Sequence, residues 1–116
     1  RSVLAALVLI PVLAQVDRLA AAEASYQRLA DGKKLAMARS KGNCLACHAI
    51  ADGELPGNIG PPLVYMQQRF PDKAQLRAQV WDATARNPNT VMPPFGRHGI
   101  LTDEEIELIV DYIHSL

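Results

Sequence analysis

The chemistry in this chain concentrates at Cys44-Leu45-Ala46-Cys47-His48, which holds its only 2 cysteines and one of its 3 histidines. Two thiols separated by two residues and followed directly by an imidazole make the C-x-x-C-H pattern of covalent haem attachment. On a helical turn, that spacing brings both sulfurs to the two vinyl groups along one porphyrin edge. The adjacent imidazole then points at the iron from the same side, and the tether lowers the entropic cost of holding the cofactor. Other readings of the cysteines are weaker. A thioredoxin-like redox pair wants a βαβ context and makes no use of the histidine. A zinc site needs further ligands at metal spacing, and there is no second cysteine pair. A Cys44–Cys47 disulfide would close an unusually tight loop. The expected cofactor is one haem c, attached through Cys44 and Cys47 with His48 on the iron.

A haem iron with one protein ligand and an open position is a catalyst or gas binder; with two ligands it is an electron carrier. The candidates for a second ligand are Met37, Met66, Met92, His98 and His114. Met37 is too near the attachment turn and reads as core. Met66 sits in Leu63-Val64-Tyr65-Met66, where packing is the simpler task, and His114 reads as a solvated helix-end residue. Met92 stands in Thr90-Val91-Met92-Pro93-Pro94-Phe95-Gly96, a proline-stiffened loop well separated from His48. It is the preferred ligand, with His98 second, and Met–His ligation would raise the reduction potential over bis-His. His48 also needs an acceptor for its Nδ1–H. The carbonyl of Pro61 in Gly60-Pro61-Pro62-Leu63 is suited to this, with Leu63 packed on the ring, although the same residues also read as a plain turn. Trp81 and Phe95 read as core against the porphyrin. Arg97 reads either as partner of a haem propionate or as an ordinary exposed arginine. His98 has the same choice, or bonds a loop carbonyl. Asn87 or Asn89 is a candidate donor to the methionine sulfur.

The elements that must position these residues read as helices joined by long loops. Asp31 is placed as N-cap of a short helix through Leu35, Ala36 and Met37, stopped by Gly42. Residues 51–62 and 87–99, rich in proline and glycine, read as loops. Asp72 opens a helix with Leu76, Val80 and Ala83 on its apolar stripe, ended by Asn87-Pro88. Thr102 and Glu105 make a capping box for the last helix, stapled by Leu101 and Ile106 and lined by Ile106, Ile109, Val110 and Ile113. No segment alternates with period two, so the class is all-α.

At 116 residues with 49% hydrophobic content, the chain makes one domain. Aromatics are only 5%, so a large internal cofactor would help fill the core. Lys+Arg and Asp+Glu are 12 each, which argues against nucleic acid as partner. Arg1 followed by the apolar run Val3 to Ala14 has the build of a secretory leader, too short to cross a bilayer comfortably. Residues 1–24 are therefore expected as a secretory leader or an N-terminal helix, and 25–116 as the cytochrome domain.

Cys44-Leu45-Ala46-Cys47-His48, Gly60-Pro61-Pro62-Leu63 and Met92-Pro93, in this order, resemble the class I cytochromes c. The resemblance implies terminal helices crossing at a small glycine, Gly32 against Tyr112, a Pro61 carbonyl on the proximal histidine, and Met92 completing the iron. The fuller stretches Gly42 to Ile50, Gly57 to Leu63 and Met92 to His98 resemble more closely the SoxX family, over about Asp31 to Leu116. These are the monohaem subunits of SoxAX cytochromes in sulfur oxidation. That likeness implies a periplasmic heterodimer with a SoxA-type dihaem or monohaem subunit, within an L-cysteine S-thiosulfotransferase. There, thiosulfate is coupled oxidatively to a SoxYZ carrier cysteine at a SoxA haem, and SoxX passes the electrons to a downstream cytochrome c. With no cysteine left after haem attachment, this chain suits the electron-accepting subunit and not the catalytic one. A free periplasmic cytochrome c shuttle is the alternative, and a five-coordinate haem acting on peroxide or a gas is a third class.

Overall fold

The sharpest local signals sit at the end of the chain, and the fold is built onto them. In the computed structural model, which describes residues 3–116 with side chains from residue 12 onward, α4 runs Asp103–His114. Thr102 Oγ1 accepts the Glu105 N–H at 3.2 Å, and the Glu105 carboxylate accepts the Thr102 N–H at 3.0 Å. This is the expected capping box, and three acidic residues in the first turn complement the helix dipole. Ile106, Ile109, Val110 and Ile113 are buried along one face, with Leu101 buried beside them.

α1 runs Val3–Met37 as one helix. The expected short helix capped by Asp31 is therefore corrected: Asp31 lies inside α1, where its carboxylate accepts from the Gln27 side chain at 3.1 Å. Gly32 is tolerated within the helix because α4 passes directly over it. A Cβ there would fall within 3 Å of the Leu108 carbonyl and of Tyr112 Cβ. The two helices meet at this glycine, as the resemblance implied. The division expected at residue 24 falls within α1, and side chains 12–28 are exposed. Arg1 and Ser2, the start of the expected leader, lie outside the described residues, as do the side chains of its apolar run up to Pro11. No helix of the described residues is long and apolar enough to cross a membrane.

Between these helices the chain forms a 3₁₀ turn at Cys44–Ala46, the single-turn α2 at Met66–Arg69, α3 at Lys73–Trp81 and a second 3₁₀ turn at Ala83–Ala85. No strand occurs among the described residues. α2 replaces part of what read as a plain apolar stretch, though Met66 is core as expected, 1% exposed. Asp72 caps α3 by accepting from Ala74 N–H. The helix then stops earlier than expected, at Trp81 instead of Asn87. Asp82 takes an extended conformation and its carboxylate accepts from Thr84 N–H and Oγ1, which competes with helix continuation. His114 is also corrected: it is half-buried and its Nε2 lies 3.0 Å from the Phe70 carbonyl.

α1, α2 and α3 all pack on α4. The core joins Ala36, Ile50, Leu63, Met66, Leu76, Val80, Phe95 and Leu101 to the buried face of α4. No charged or polar residue is buried among the described residues.

Candidate haem site

The attachment motif is shaped by its own backbone. Asn43 turns the chain through a left-handed conformation, φ 48°, which asparagine tolerates better than most residues. The amides of Cys47 and His48 then both donate to the Cys44 carbonyl, at 3.2 and 2.9 Å. One tight turn thus carries both thiols and the imidazole. The two sulfurs are not joined to each other, so the disulfide reading falls. Burial pushes the Cys44 thiol up to about 11, which keeps it protonated at neutral pH. Among the described residues no three His, Cys, Asp or Glu side chains converge as a metal site.

The loop after the motif is laced back onto it. Gly57 N–H donates to Leu45, Gly60 to Cys47 and Leu63 to Ala49, at 2.9, 2.8 and 2.9 Å. This lacing brings Pro61 over the histidine, and His48 Nδ1 lies 2.7 Å from the Pro61 carbonyl. A carbonyl only accepts, so Nδ1 carries a proton and donates, which leaves Nε2 as the ring nitrogen open to a ligand. The loop is therefore more than a plain turn. Gly60 must be glycine for this contact: a Cβ would sit within 3 Å of three ring atoms of His48.

Arg69, at the end of α2, holds the loop from the other side. Its Nη1 donates to the Pro62 carbonyl at 2.7 Å and lies 3.2 Å from Met66 Sδ. Met92 sits in the second loop, its amide donating to Thr90 Oγ1 at 3.1 Å. Gln79 Nε2, from α3, lies 3.8 Å from Met92 Sδ. Of the asparagines considered as sulfur donors, Asn87 lines the cleft and its Oδ1 accepts from the Asn89 backbone N–H at 3.1 Å; neither donates to Met92 Sδ.

Cys44, Cys47, His48 and Met92 all line one cleft of about 640 Å³, well within the range of cofactor sites. Pro61, Leu63 and Phe95 line it too, so seven of the eight sequence-derived site residues come together. The eighth, Arg97, is not on the cleft lining; its side chain is exposed and its Nε lies 3.3 Å from Asp82 Oδ2, which matches the reading of an ordinary surface arginine. His98 and Trp81 are also absent from the lining. Trp81 is 37% exposed and lies against Gly96, where its ring would meet any added Cβ. It is not core against a porphyrin.

The cleft floor is the protein core itself, including Leu76, Val80 and Ile109. Around it stand Arg39, Lys41, Arg69 and Arg86, and no carboxylate side chain lines the cleft. Two thiols, an imidazole with a free lone pair, a thioether, apolar walls and four cations fit a haem with its two vinyl groups, iron and two propionates. The four cations were not singled out in the sequence, because scattered basic residues are ordinary surface residues until folding gathers them.

An all-α fold that gathers a C-x-x-C-H turn and a later methionine onto one apolar cleft defines a class I cytochrome c. Residues 27–113 match the family described as cytochrome c oxidase, cbb3-type, subunit III, and the chain belongs to that family. It is also similar to a chain of the SoxXA crystal structure from P. pantotrophus, at 31% identity and a TM-score of 0.66, covering 73% of this chain and 78% of that one. An uncharacterized lipoprotein of Aquifex aeolicus (strain VF5) is 38% identical over 76 residues, 65% of this chain but only 37% of that relative's length. The likeness to SoxX and the all-α class I fold expected from the sequence both hold, and the chain carries covalent haem c.

Proposed function

We propose that this chain is the electron-accepting monohaem subunit of a periplasmic SoxAX-type complex that couples thiosulfate to a SoxYZ carrier cysteine. The observation that carries the reading is the joining of His48, anchored on Pro61, and Met92 to one cleft in a chain similar to one of SoxXA. When bound, the haem supplies one-electron chemistry. Cys44 and Cys47 hold it as thioethers. His48 would offer Nε2 to the iron while the Pro61 carbonyl keeps its ring from turning, and Met92 would supply the second ligand. A haem held by both residues would leave no coordination site for a substrate, which suits a relay and not a catalyst. Leu63 and Phe95 would exclude water from the haem, and Arg69 and Arg86, which line the same cleft, would be available to its propionates.

The mouth of the cleft supports a docked partner. Ile59, Val91 and Ile100 line it and remain 68%, 75% and 43% exposed. Exposed aliphatic side chains at a cofactor edge suit a stable, desolvated interface better than a transient, salt-sensitive one. The sulfur chemistry belongs to the SoxA partner, since both cysteines here are used by the haem, and the electrons leave to a downstream cytochrome c. Residues 1–24 are read as an export leader or a retained N-terminal helix.

The test is co-expression with a SoxA-type subunit in a periplasm competent for haem attachment. A complex that elutes as a heterodimer, with this haem reduced by thiosulfate only when SoxA and SoxYZ are both present, is expected. A chain that stays monomeric with every SoxA offered overturns the reading in favour of a free shuttle.

A further inference from the structure

We propose that Trp81 is a positioning residue for Met92: its ring and carbonyl, with the neighbouring Asp82–Arg97 ion pair, clasp the end of the methionine loop at Gly96 and set how readily the sulfur leaves ferric iron. The inference rests on the reading of Met92 as ligand. It deepens that reading by naming what retains the ligand against a competitor.

Trp81 is the only tryptophan of the chain, and neither the core nor the cleft uses it: it is 37% exposed and absent from the cleft lining. What it meets is the backbone just beyond Met92. A Cβ on Gly96 would fall within 3 Å of three atoms of the indole. Gly96 takes no left-handed conformation, so its missing side chain answers the approach of the ring and not the demands of a turn. Trp81 also ends α3, where a helix leaves its last carbonyls without intrahelical partners. Its carbonyl accepts the Gly96 and Arg97 amides, at 3.0 and 3.2 Å. Asp82, the next residue, holds Arg97 at 3.3 Å. Ring, carbonyl and ion pair thus converge on two successive residues.

The start of the loop is fastened to the same stretch of chain, the Asn87 amide donating to the Ala83 carbonyl at 3.1 Å. Between the two fastenings Pro88, Asn89 and Val91 are exposed, and the amides of Thr90 and Met92 donate within the loop. Pro93 and Pro94 join Met92 to the clasp. Their rings fix φ, so the link is a strut that passes any displacement of Gly96 on to Met92. Met92 leaves iron only as its loop shifts, and a loop fastened at both ends resists that shift more than one with a loosened end.

The experiment uses the haem-loaded ferric protein and imidazole, and follows the loss of the methionine–iron absorption band. At saturating imidazole the rate stops depending on its concentration and reads the departure of Met92 alone. Trp81→Ala and Gly96→Ala should each keep the band before imidazole is added. Each should raise the limiting rate about five- to tenfold, the scale of one lost or overpacked contact. The double variant should be no faster than Trp81→Ala, because the added carbon then meets no ring, and Trp81→Phe should restore most of the parent rate. Arg97→Gln leaves the ring in place and serves if the alanine variants fail to load haem; it should raise the rate about twofold. Limiting rates that match the parent overturn the inference, as do effects of Trp81→Ala and Gly96→Ala that simply multiply in the double variant. A purely structural Trp81 would lower the melting temperature without moving the rate, which also overturns it. Met92→Ala separates the two readings. If it abolishes the band while the clasp variants exchange at the parent rate, only this inference falls; if it leaves the band intact, the ligand reading fails and this inference with it.

Discussion

At the scale of single residues, the site depends on how closely groups are allowed to approach. His48 is oriented by a carbonyl at 2.7 Å, and only the missing side chain of Gly60 lets that carbonyl come so near. Gly60→Ala should push the imidazole off Pro61, because the added carbon would lie within 3 Å of ring atoms. Overpacking of this kind costs about 1–3 kcal/mol. The expected outcome is a lower yield of haem-loaded protein, read from the pyridine haemochrome spectrum, and a lower melting temperature in the fraction that loads. Unchanged yield and melting would show that the ring has another resting position. Arg97 carries the opposite lesson. A charge next to a ligand loop in sequence turned toward the carboxylate that folding brought nearest, Asp82, while Arg86, before the same loop, and Arg69, farther off in the chain, reached the cleft.

At the scale of elements, α4 is the beam on which the others rest. Removing its cap by Thr102→Ala should cost about 1 kcal/mol, seen as a lower denaturant midpoint with unchanged slope. Gly32→Ala should cost more, since the added carbon meets the α4 backbone carbonyl of Leu108 and has no flexible side chain to displace. Asp111 ties three elements together, pairing with Arg28 of α1 and Lys73 of α3. Burial opposes its ionisation, but the hydrogen bonds from Lys73 and Arg28 win and hold its carboxyl below the usual range. A carboxyl lowered in the folded state stabilises fully above its unfolded value, about pH 4. That stability is lost as pH falls through the lower folded value. Asp111→Asn should therefore reduce stability at neutral pH, with the difference from the parent shrinking below about pH 4 in a melting-temperature profile.

At the scale of the whole molecule, the haem is a structural member as well as a redox group. Its walls are the same residues that form the core, so haem loading and folding should be coupled, and the unloaded chain should melt at a lower temperature. The mouth of the cleft should also set partner affinity. Charged substitutions such as Ile59→Lys or Val91→Lys should weaken co-elution with a SoxA-type subunit while leaving the visible spectrum unchanged. If the complex survives both substitutions, the interface lies elsewhere. The exposed stretch 12–28 contributes little to the core, so a chain shortened at residue 24 should retain its haem spectrum. The mass of the protein purified from cells competent for haem attachment reports whether that cut is made.

What the sequence determined by itself was whatever chemistry demands in a short span. Attachment needs two thiols and an imidazole within one turn, and a capping box needs two residues three apart. Those features are local, so their spacing is their geometry. Only the tertiary structure decided the rest. The full length of α1 was hidden because Asp31-Gly32 has the form of a helix start, and its real reason, the crossing with α4, lies some 80 residues away in the chain. The early stop of α3 follows from the competing hydrogen bonds of Asp82, and the partner of the Met92 sulfur is a glutamine on another element. Contacts between distant segments depend on which surfaces the core brings together, and no local pattern of residue types encodes that.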